Sequence, residues 1–241
     1  MKKAIREYLI RSYEGDAFGN LRIVTLFNIM QDVADFHAAE LGLGLEFCRS
    51  KGLAWVGANY HVKIKKLPKI HQKIVVHSWP SAEKKLGAIR EFLFFDENGV
   101  ELIRASSQWI LIDFAKKRPV CLKDHLPDYQ IIPERALETN FEKIENGSEP
   151  TKKTAFKIRF DDIDVNGHVN NAVYPLWASE ALDDDFRKKH IPSEIEVIFK
   201  KEGLLGESVN VASILDNQIS RHYIFSASDE RELARVKIMW A

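Results

Sequence analysis

The sequence predicts an α+β protein built from the same unit twice, each unit a twisted antiparallel sheet wrapped around one long helix. Two observations carry that expectation. Three stretches of the first half recur in the second half, in the same order. Within each copy a helical pattern comes first and strand-like patterns punctuated by turns follow, an order that a sheet folded around a single helix satisfies.

The first match places Asp16 on Asp164, Gly19 on Gly167 and Leu21 on Val169, a shift of 148. Both stretches read as a short extended segment, a glycine-containing turn, then a helix. The first helix is expected over 25–41, where Leu26, Ile29, Met30, Val33 and Leu41 keep close to helical spacing. The second is expected over 171–183, with Val173, Leu176, Trp177 and Ala181 on its apolar face. Pro175 falls near that helix's first turn, where a missing N–H costs least. The second match, at a shift of 135, lays HVKIKKLPKIHQKIVV on EVIFKKEGLLGESVNV. Each reads as a strand, a Lys-Lys pair, a bend and another strand. Tyr60, Val62 and Ile64 alternate with His61, Lys63 and Lys65, the period-two pattern of a half-buried strand. The third match, at a shift of 131, places Leu102, Arg104 and Trp109 on Leu233, Arg235 and Trp240, each after a turn signal. The falling shift means shorter connections in the second copy, not a different order.

Between the copies lies a proline-rich, charged stretch with Pro119, Pro127, Pro133, Pro150 and the turn signal Asn146-Gly147-Ser148. It reads as a linker with one short helix around 133–143. The expected organisation is therefore an N-terminal unit over 1–113, a linker over 114–153 and a C-terminal unit over 154–241.

Composition bounds the function. Lys plus Arg and Asp plus Glu each total 35, so the formal charge is zero, which argues against a dedicated nucleic-acid binder. No apolar run approaches the ~18 residues of a membrane span, and the first residues turn charged too soon for a signal peptide. Cys48 and Cys121 are the two cysteines and have no metal-type spacing, which fits a reducing, cytoplasmic setting and no bound metal.

The copies differ where chemistry is expected. Asn166 falls on Phe18, His168 on Asn20 and Glu202 on Leu67, and only Asp164 keeps its identity, as Asp16. A duplicated chain can keep a reacting site in one copy and turn the other into a holder. Asp164, Asn166 and His168 alternate, so an extended stretch would aim all three at one surface. Asn170 and Asn171 are good helix N-cap residues, and the positive start of a helix is a natural seat for negative charge on an attacked carbonyl. His37 on the first helix reads as a polar-edge residue, and the tryptophans read as core.

Asp164-Val165-Asn166-Gly167-His168-Val169-Asn170-Asn171, followed by Tyr174 and Trp177, resembles the signature of the acyl-acyl carrier protein thioesterases of plants and bacteria. Arg11-Ser12-Tyr13-Glu14, Leu41-Gly42 and Trp55-Val56 fit the same pattern, and the resemblance covers most of the chain. It implies a tandem, or double, hot dog fold and hydrolysis of fatty acyl–carrier protein thioesters without a cofactor. It implies catalytic roles for Asp164, Asn166, His168 and Glu202, with Asp164 either orienting the others or attacking directly. Leu26, Ile29, Met30 and Val33 are the expected lining of an acyl-chain tunnel in the first unit, and the second unit is the catalytic one. The implied partners are the fatty acyl chain and the acidic carrier protein, met by a Lys/Arg patch, with the chain a monomeric pseudo-dimer or a homodimer. Two readings compete: an acyl-coenzyme A thioesterase of the hot dog superfamily, or a non-catalytic acyl-chain binder. Plant members usually carry a cysteine directly after the glutamate; here that residue is Gly203, so no cysteine mechanism is expected. Plant members also carry a plastid transit segment, and a chain that opens almost at the first copy is expected to be bacterial in kind.

Overall fold

The structure, a computed structural model, describes residues 2–147 and 149–241. Met1, where the first unit was expected to begin, and Ser148, part of the expected turn signal, lie outside the described residues. The chain divides into two compact units, Met1–Asn140 and Phe141–Ala241.

The first unit opens with β1 (Ala4–Leu9), a 3₁₀ turn at Ser12–Glu14 and α1 (Ile23–Glu40). A short α2 (Leu45–Ser50) leads to β2 (Leu53–Ile64), β3 (Lys73–Lys84), β4 (Gly87–Asp96), β5 (Glu101–Asp113), β6 (Arg118–Pro119) and a single turn, α3 (Leu122–His125). The sheet order is β1-β3-β4-β5-β2, all antiparallel, with β6 on β5. Helix α1 lies on β3 and β1. Its apolar face follows from spacing: Leu26, Ile29, Met30 and Val33 are each 5% exposed or less. The helix stops at Gly42, whose φ of +72° suits a left-handed residue; Gly42 N–H bonds Ala39 O, and Leu43 N–H bonds Ala38 O. On β2, Tyr60, Val62 and Ile64 are buried as the alternation predicts.

The second unit has β7 (Lys152–Lys157), a 3₁₀ turn at Phe160–Asp162, α4 (Val173–Glu180), the short α5 (Asp184–Arg187), β8 (Pro192–Phe199), β9 (Ser208–Asp216), β10 (Ile219–Ser226) and β11 (Glu232–Trp240). Its strand order is β8-β11-β10-β9-β7, again antiparallel, with α4 on β9, β10 and β11.

The duplication is written into the hydrogen bonds. At a shift of 148, Glu14 accepts Arg11 N–H as Asp162 accepts Arg159 N–H, and Arg22 N–H bonds Glu14 O as Asn170 N–H bonds Asp162 O. At 148 and 135 together, Ile10 N–H bonds Gln72 O as Ile158 N–H bonds Glu207 O. At 135 and 131, Lys65 and Lys66 N–H bond Leu102 O as Lys200 and Lys201 N–H bond Leu233 O. A buttressed ion triad recurs as well: Lys65–Glu101–Arg104 in the first unit, Lys200–Glu232–Arg235 in the second. All three shifts read from the sequence therefore hold in space, and each unit is a hot dog.

Three expectations need correction. No helix forms around 133–143. That stretch is used as backbone partner instead: Ile132 N–H bonds Pro80 O, Trp79 Nε1–H bonds Glu134 O, and the buried Glu91 accepts Ala136 and Leu137 N–H. Helix α4 is shorter than 171–183 and is capped at Ala172, because Asn170 Oδ1 takes Ala172 N–H and holds 170–172 in a turn. The long central helix is thus a property of the first unit only. His37 is not at a polar edge; it is 3% exposed and its Nδ1 sits 3.1 Å from Arg90.

Candidate active site

The second unit's site begins with a local device, an aspartate that builds a turn. Asp164 Oδ1 accepts Asn166 N–H at 2.8 Å, Gly167 N–H bonds Asp164 O at 3.0 Å, and Asp164 N–H bonds His168 O at 2.8 Å. Gly167 has φ +80°, which glycine adopts freely. The segment 164–168 is therefore a closed turn and not the extended stretch expected from alternation. Asp16 builds the same turn in the first unit, taking Phe18 and Asn20 N–H, with Gly19 at φ +73°. The turn explains why the aspartate and the glycine are common to both copies.

Beyond the turn the chain meets the loop after β8. His168 forms a bridge with Leu204, and Val169 N–H bonds Gly203 O. Glu202 lies two residues from Leu204, so it is the diagonal neighbour of His168 on the same face. The carboxylate reaches it: His168 Nε2 is 3.1 Å from Glu202 Oε2. The side chains are 22% and 36% exposed, so water has access to the pair. Asn20 bridges Lys69 in the same way in the first unit, and Leu67, 5% exposed, occupies the glutamate's place. The first unit has the frame of the site without a histidine–carboxylate contact.

Of the four residues expected here, the structure brings His168 and Glu202 into contact. Asp164 stands at the base of the turn. Asn166 is exposed at its tip. Three further groups attend the pair, none of them singled out as site residues by the sequence reading. Tyr174, 2% exposed on α4, accepts Gly203 N–H on its Oη at 3.1 Å. Burial, with the charges of Glu202, Asp164 and Glu207 behind it, pushes its hydroxyl up to about 12, so it stays protonated. Arg231 reaches Glu202 O at 3.3 Å and both carboxylate oxygens of Glu207 at 2.7 Å. Glu207 in turn accepts Leu204 N–H at 3.0 Å. The self-alignment that found Glu202 carries the signal for all three, since each replaces a residue of different chemistry in the first copy.

The expected acyl-chain residues Leu26, Ile29, Met30 and Val33 lie inside the first unit, on the buried face of α1. Cys48 is 2% exposed among Leu53, Ala88, Leu111 and Leu122, and burial raises its thiol to about 11, so it is an inert core residue. Cys121 is a free thiol of the first unit. Gly203 leaves room for little else: a Cβ there would lie 3.1 Å from Val169 Cγ2 and 3.3 Å from Tyr174 Oη.

Comparison with known proteins agrees with this anatomy. The acyl-ACP thioesterase N-terminal domain family matches residues 1–129, and the acyl-ACP thioesterase C-terminal domain family matches residues 145–241. An oleoyl-acyl carrier protein thioesterase of Arabidopsis thaliana chloroplasts is 26% identical over 214 residues, 81% of this chain and 58% of that protein. A palmitoyl-acyl carrier protein thioesterase of the same plant's chloroplasts is 30% identical over 211 residues, 82% of this chain and 51% of that protein. The chain thus spans about half the length of these curated relatives. The fold matches the crystal structure of an acyl-ACP thioesterase from Bacteroides thetaiotaomicron, with a TM-score of 0.86 at 19% identity over 99% of this chain and 98% of that one. It also matches the 12:0-ACP thioesterase of Umbellularia californica, at 0.84 and 23% over 98% and 96%. With both domain families matched in order along a duplicated hot dog, this chain belongs to the acyl-ACP thioesterase family.

Proposed function

We propose that this protein hydrolyses fatty acyl–acyl carrier protein thioesters to a free fatty acid and the carrier, with water as the second substrate. The observation that carries the reading is the His168–Glu202 contact, present in the second unit only, in a chain of this family. A carboxylate held against an imidazole is an acid–base pair able to take a proton from water and return one to the leaving thiolate. Asn166, at the exposed tip of the turn, positions the water or the carbonyl oxygen. Asp164, fixed by the turn, orients these groups or attacks the carbonyl itself. No thiol is needed, since Gly203 follows the glutamate and Cys48 is buried in the other unit. Leu26, Ile29, Met30 and Val33 hold the acyl chain in the first unit, the unit whose copy of the site lacks the acid–base pair.

The acidic carrier docks on exposed lysines. Lys201 is the best placed, exposed and next to Glu202, whereas Lys200 is tied to Glu232. The protein works in the cytoplasm, a reading supported by two cysteines that are both free thiols, and as a monomeric pseudo-dimer or a homodimer, which sedimentation separates. No helix among the described residues is long and apolar enough to cross a membrane.

The test is turnover on acyl-carrier protein beside the matching acyl-coenzyme A. Hydrolysis of the carrier-bound thioester at higher kcat/KM is expected, with His168→Ala and Glu202→Ala each lowering kcat by about 10²–10⁴. Equal or faster cleavage of acyl-coenzyme A would move the assignment to that substrate. Tight acyl binding with no turnover would make the chain a carrier of acyl groups. Full activity in Glu202→Ala would leave the chemistry to Asp164, Asn166 and His168.

A further inference from the structure

The four residues that separate the two copies around Glu202 are not scattered. Tyr174 falls on Leu26, Gly203 on Pro68, Glu207 on Gln72 and Arg231 on Val100, by the same shifts that organise the whole chain. Tyr174 Oη accepts the Gly203 N–H at 3.1 Å, and Arg231 Nη2 donates to the Glu202 carbonyl at 3.3 Å. These are the two polar groups of one peptide bond, the bond that leaves Glu202. In the first unit the counterpart bond ends in a proline, which has no N–H, and the residue aligned with Tyr174 is a leucine, which has no hydroxyl. The frame around it is otherwise shared: Val169 N–H bonds Gly203 O as Leu21 N–H bonds Pro68 O, and Glu207 takes Leu204 N–H as Gln72 takes Lys69 N–H. What the second unit adds is a hydrogen-bond partner at each end of that single peptide group, plus a carboxylate that holds the same Arg231 nitrogen.

We infer that Tyr174 and Arg231, the latter braced by Glu207, are positioning residues that clamp the Glu202–Gly203 peptide and so aim the Glu202 carboxylate at His168. A peptide plane held at both its oxygen and its hydrogen cannot rotate about the bonds that flank it, and the backbone of Glu202 is then fixed on its C-terminal side. The carboxylate itself is partly exposed, and a fixed backbone limits how far it can move from Nε2. Glu207 is the second layer: both its carboxylate oxygens accept from Arg231 Nη2, the nitrogen that also reaches the Glu202 carbonyl, and its bond to Leu204 N–H ties the same loop one residue further on. Asp229 and Ser226 take the other arm of Arg231, so the guanidinium is anchored on both sides before it touches Glu202. The inference rests on the hydrolase reading for its kinetic consequence but not for its geometry.

The experiment pairs kinetics with a direct view of the histidine. Tyr174→Phe removes one oxygen from a buried ring, and Arg231→Met removes the guanidinium. Each is expected to lower kcat about 10-fold to 10²-fold with KM unchanged, the scale on which small displacements of reacting groups are felt. With ¹⁵N-labelled histidine, assigned by its loss in His168→Ala, the His168 ring signals should move in both variants toward those of Glu202→Gln. Arg231→Lys, which keeps one donor for the carbonyl, should fall between wild type and Arg231→Met. If Arg231→Met fails to fold, Tyr174→Phe decides by itself. The clamp is wrong if kcat stays within twofold of wild type and the ring signals do not move, or if the variants raise KM alone. Should the wild-type chain cleave no thioester, the ring signals still decide the clamp, and the hydrolase reading falls separately.

Discussion

His37 and His222 are held neutral by their surroundings, one in each unit. His222 is fully buried between Ser213 Oγ at 2.8 Å and Ser220 Oγ at 2.9 Å, and burial lowers its pKa to about 3. His37 is lowered to about 4, first by burial and then by the Arg90 guanidinium against it. Arg90 is itself pulled down by burial to about 10 and so stays charged at neutral pH. A base whose folded pKa lies below its unfolded value of about 6.5 binds its proton more readily when unfolded. The stability it supports is therefore complete above that value and drains away as pH falls through the folded pKa. Each histidine contributes on the order of a few kcal/mol over that range. Thermal unfolding should thus lose several degrees between pH 7 and pH 4, and His222→Gln should flatten that fall even if it lowers Tm at pH 7. An unchanged acid limb in the variant would show that His222 does not set it. Neither histidine declared itself in sequence. Each looks like any other polar residue until the sheet closes over it.

At the scale of elements, the segment after β6 shows how a stretch without regular structure is held. Glu91 on β4 has no exposure and collects Arg135 Nε at 2.6 Å, Ser81 Oγ at 2.8 Å, Ser106 Oγ at 3.1 Å and two backbone N–H groups. It substitutes for the hydrogen bonds that a helix would have made for itself, which is why the helix expected around 133–143 does not form. Removing the carboxylate strands a guanidinium and two N–H groups, so Glu91→Ala should cost about 3 kcal/mol or more. Chemical denaturation measures this directly, and a loss below about 1 kcal/mol would deny Glu91 that role. Helix α1 and β2, by contrast, were legible from spacing alone, because a period of 3.6 or 2 in apolar residues survives whatever the rest of the chain does. The turns at Asp16 and Asp164 were legible as turns but not in form. Alternation of polar residues looks the same in a strand and in a tight turn closed by an aspartate and a glycine.

At the scale of the molecule, duplication supplies its own control. The first unit keeps the turn, the bridge and the loop of the site and lacks the His168–Glu202 pair. Asn20→Ala and Leu67→Ala alter the matching positions there and should leave kcat near wild type. Leu67→Ala should still cost about 2–5 kcal/mol of stability, because the leucine is 5% exposed in the core. A loss of kcat in Asn20→Ala equal to that of His168→Ala would mean that the first unit reacts too.

The sequence by itself determined the duplication, its three shifts, the order of helix and strands in each copy, and the divergence of the copies at His168 and Glu202. Those features are periodicities and identities, and they exist along the chain before it folds. Only the tertiary structure decided that Glu202 meets His168 at 3.1 Å, that Tyr174 and Arg231 hold the peptide between Glu202 and Gly203, and that Asp164 Oδ1 closes its own turn. Those facts depend on the register of a loop against a turn 34 positions away (Glu202 after His168), and on strand ends that bring Arg231 back beside Glu202. A one-residue change in that register would carry Glu202 to the face away from His168, and nothing local to the residues records which register is taken.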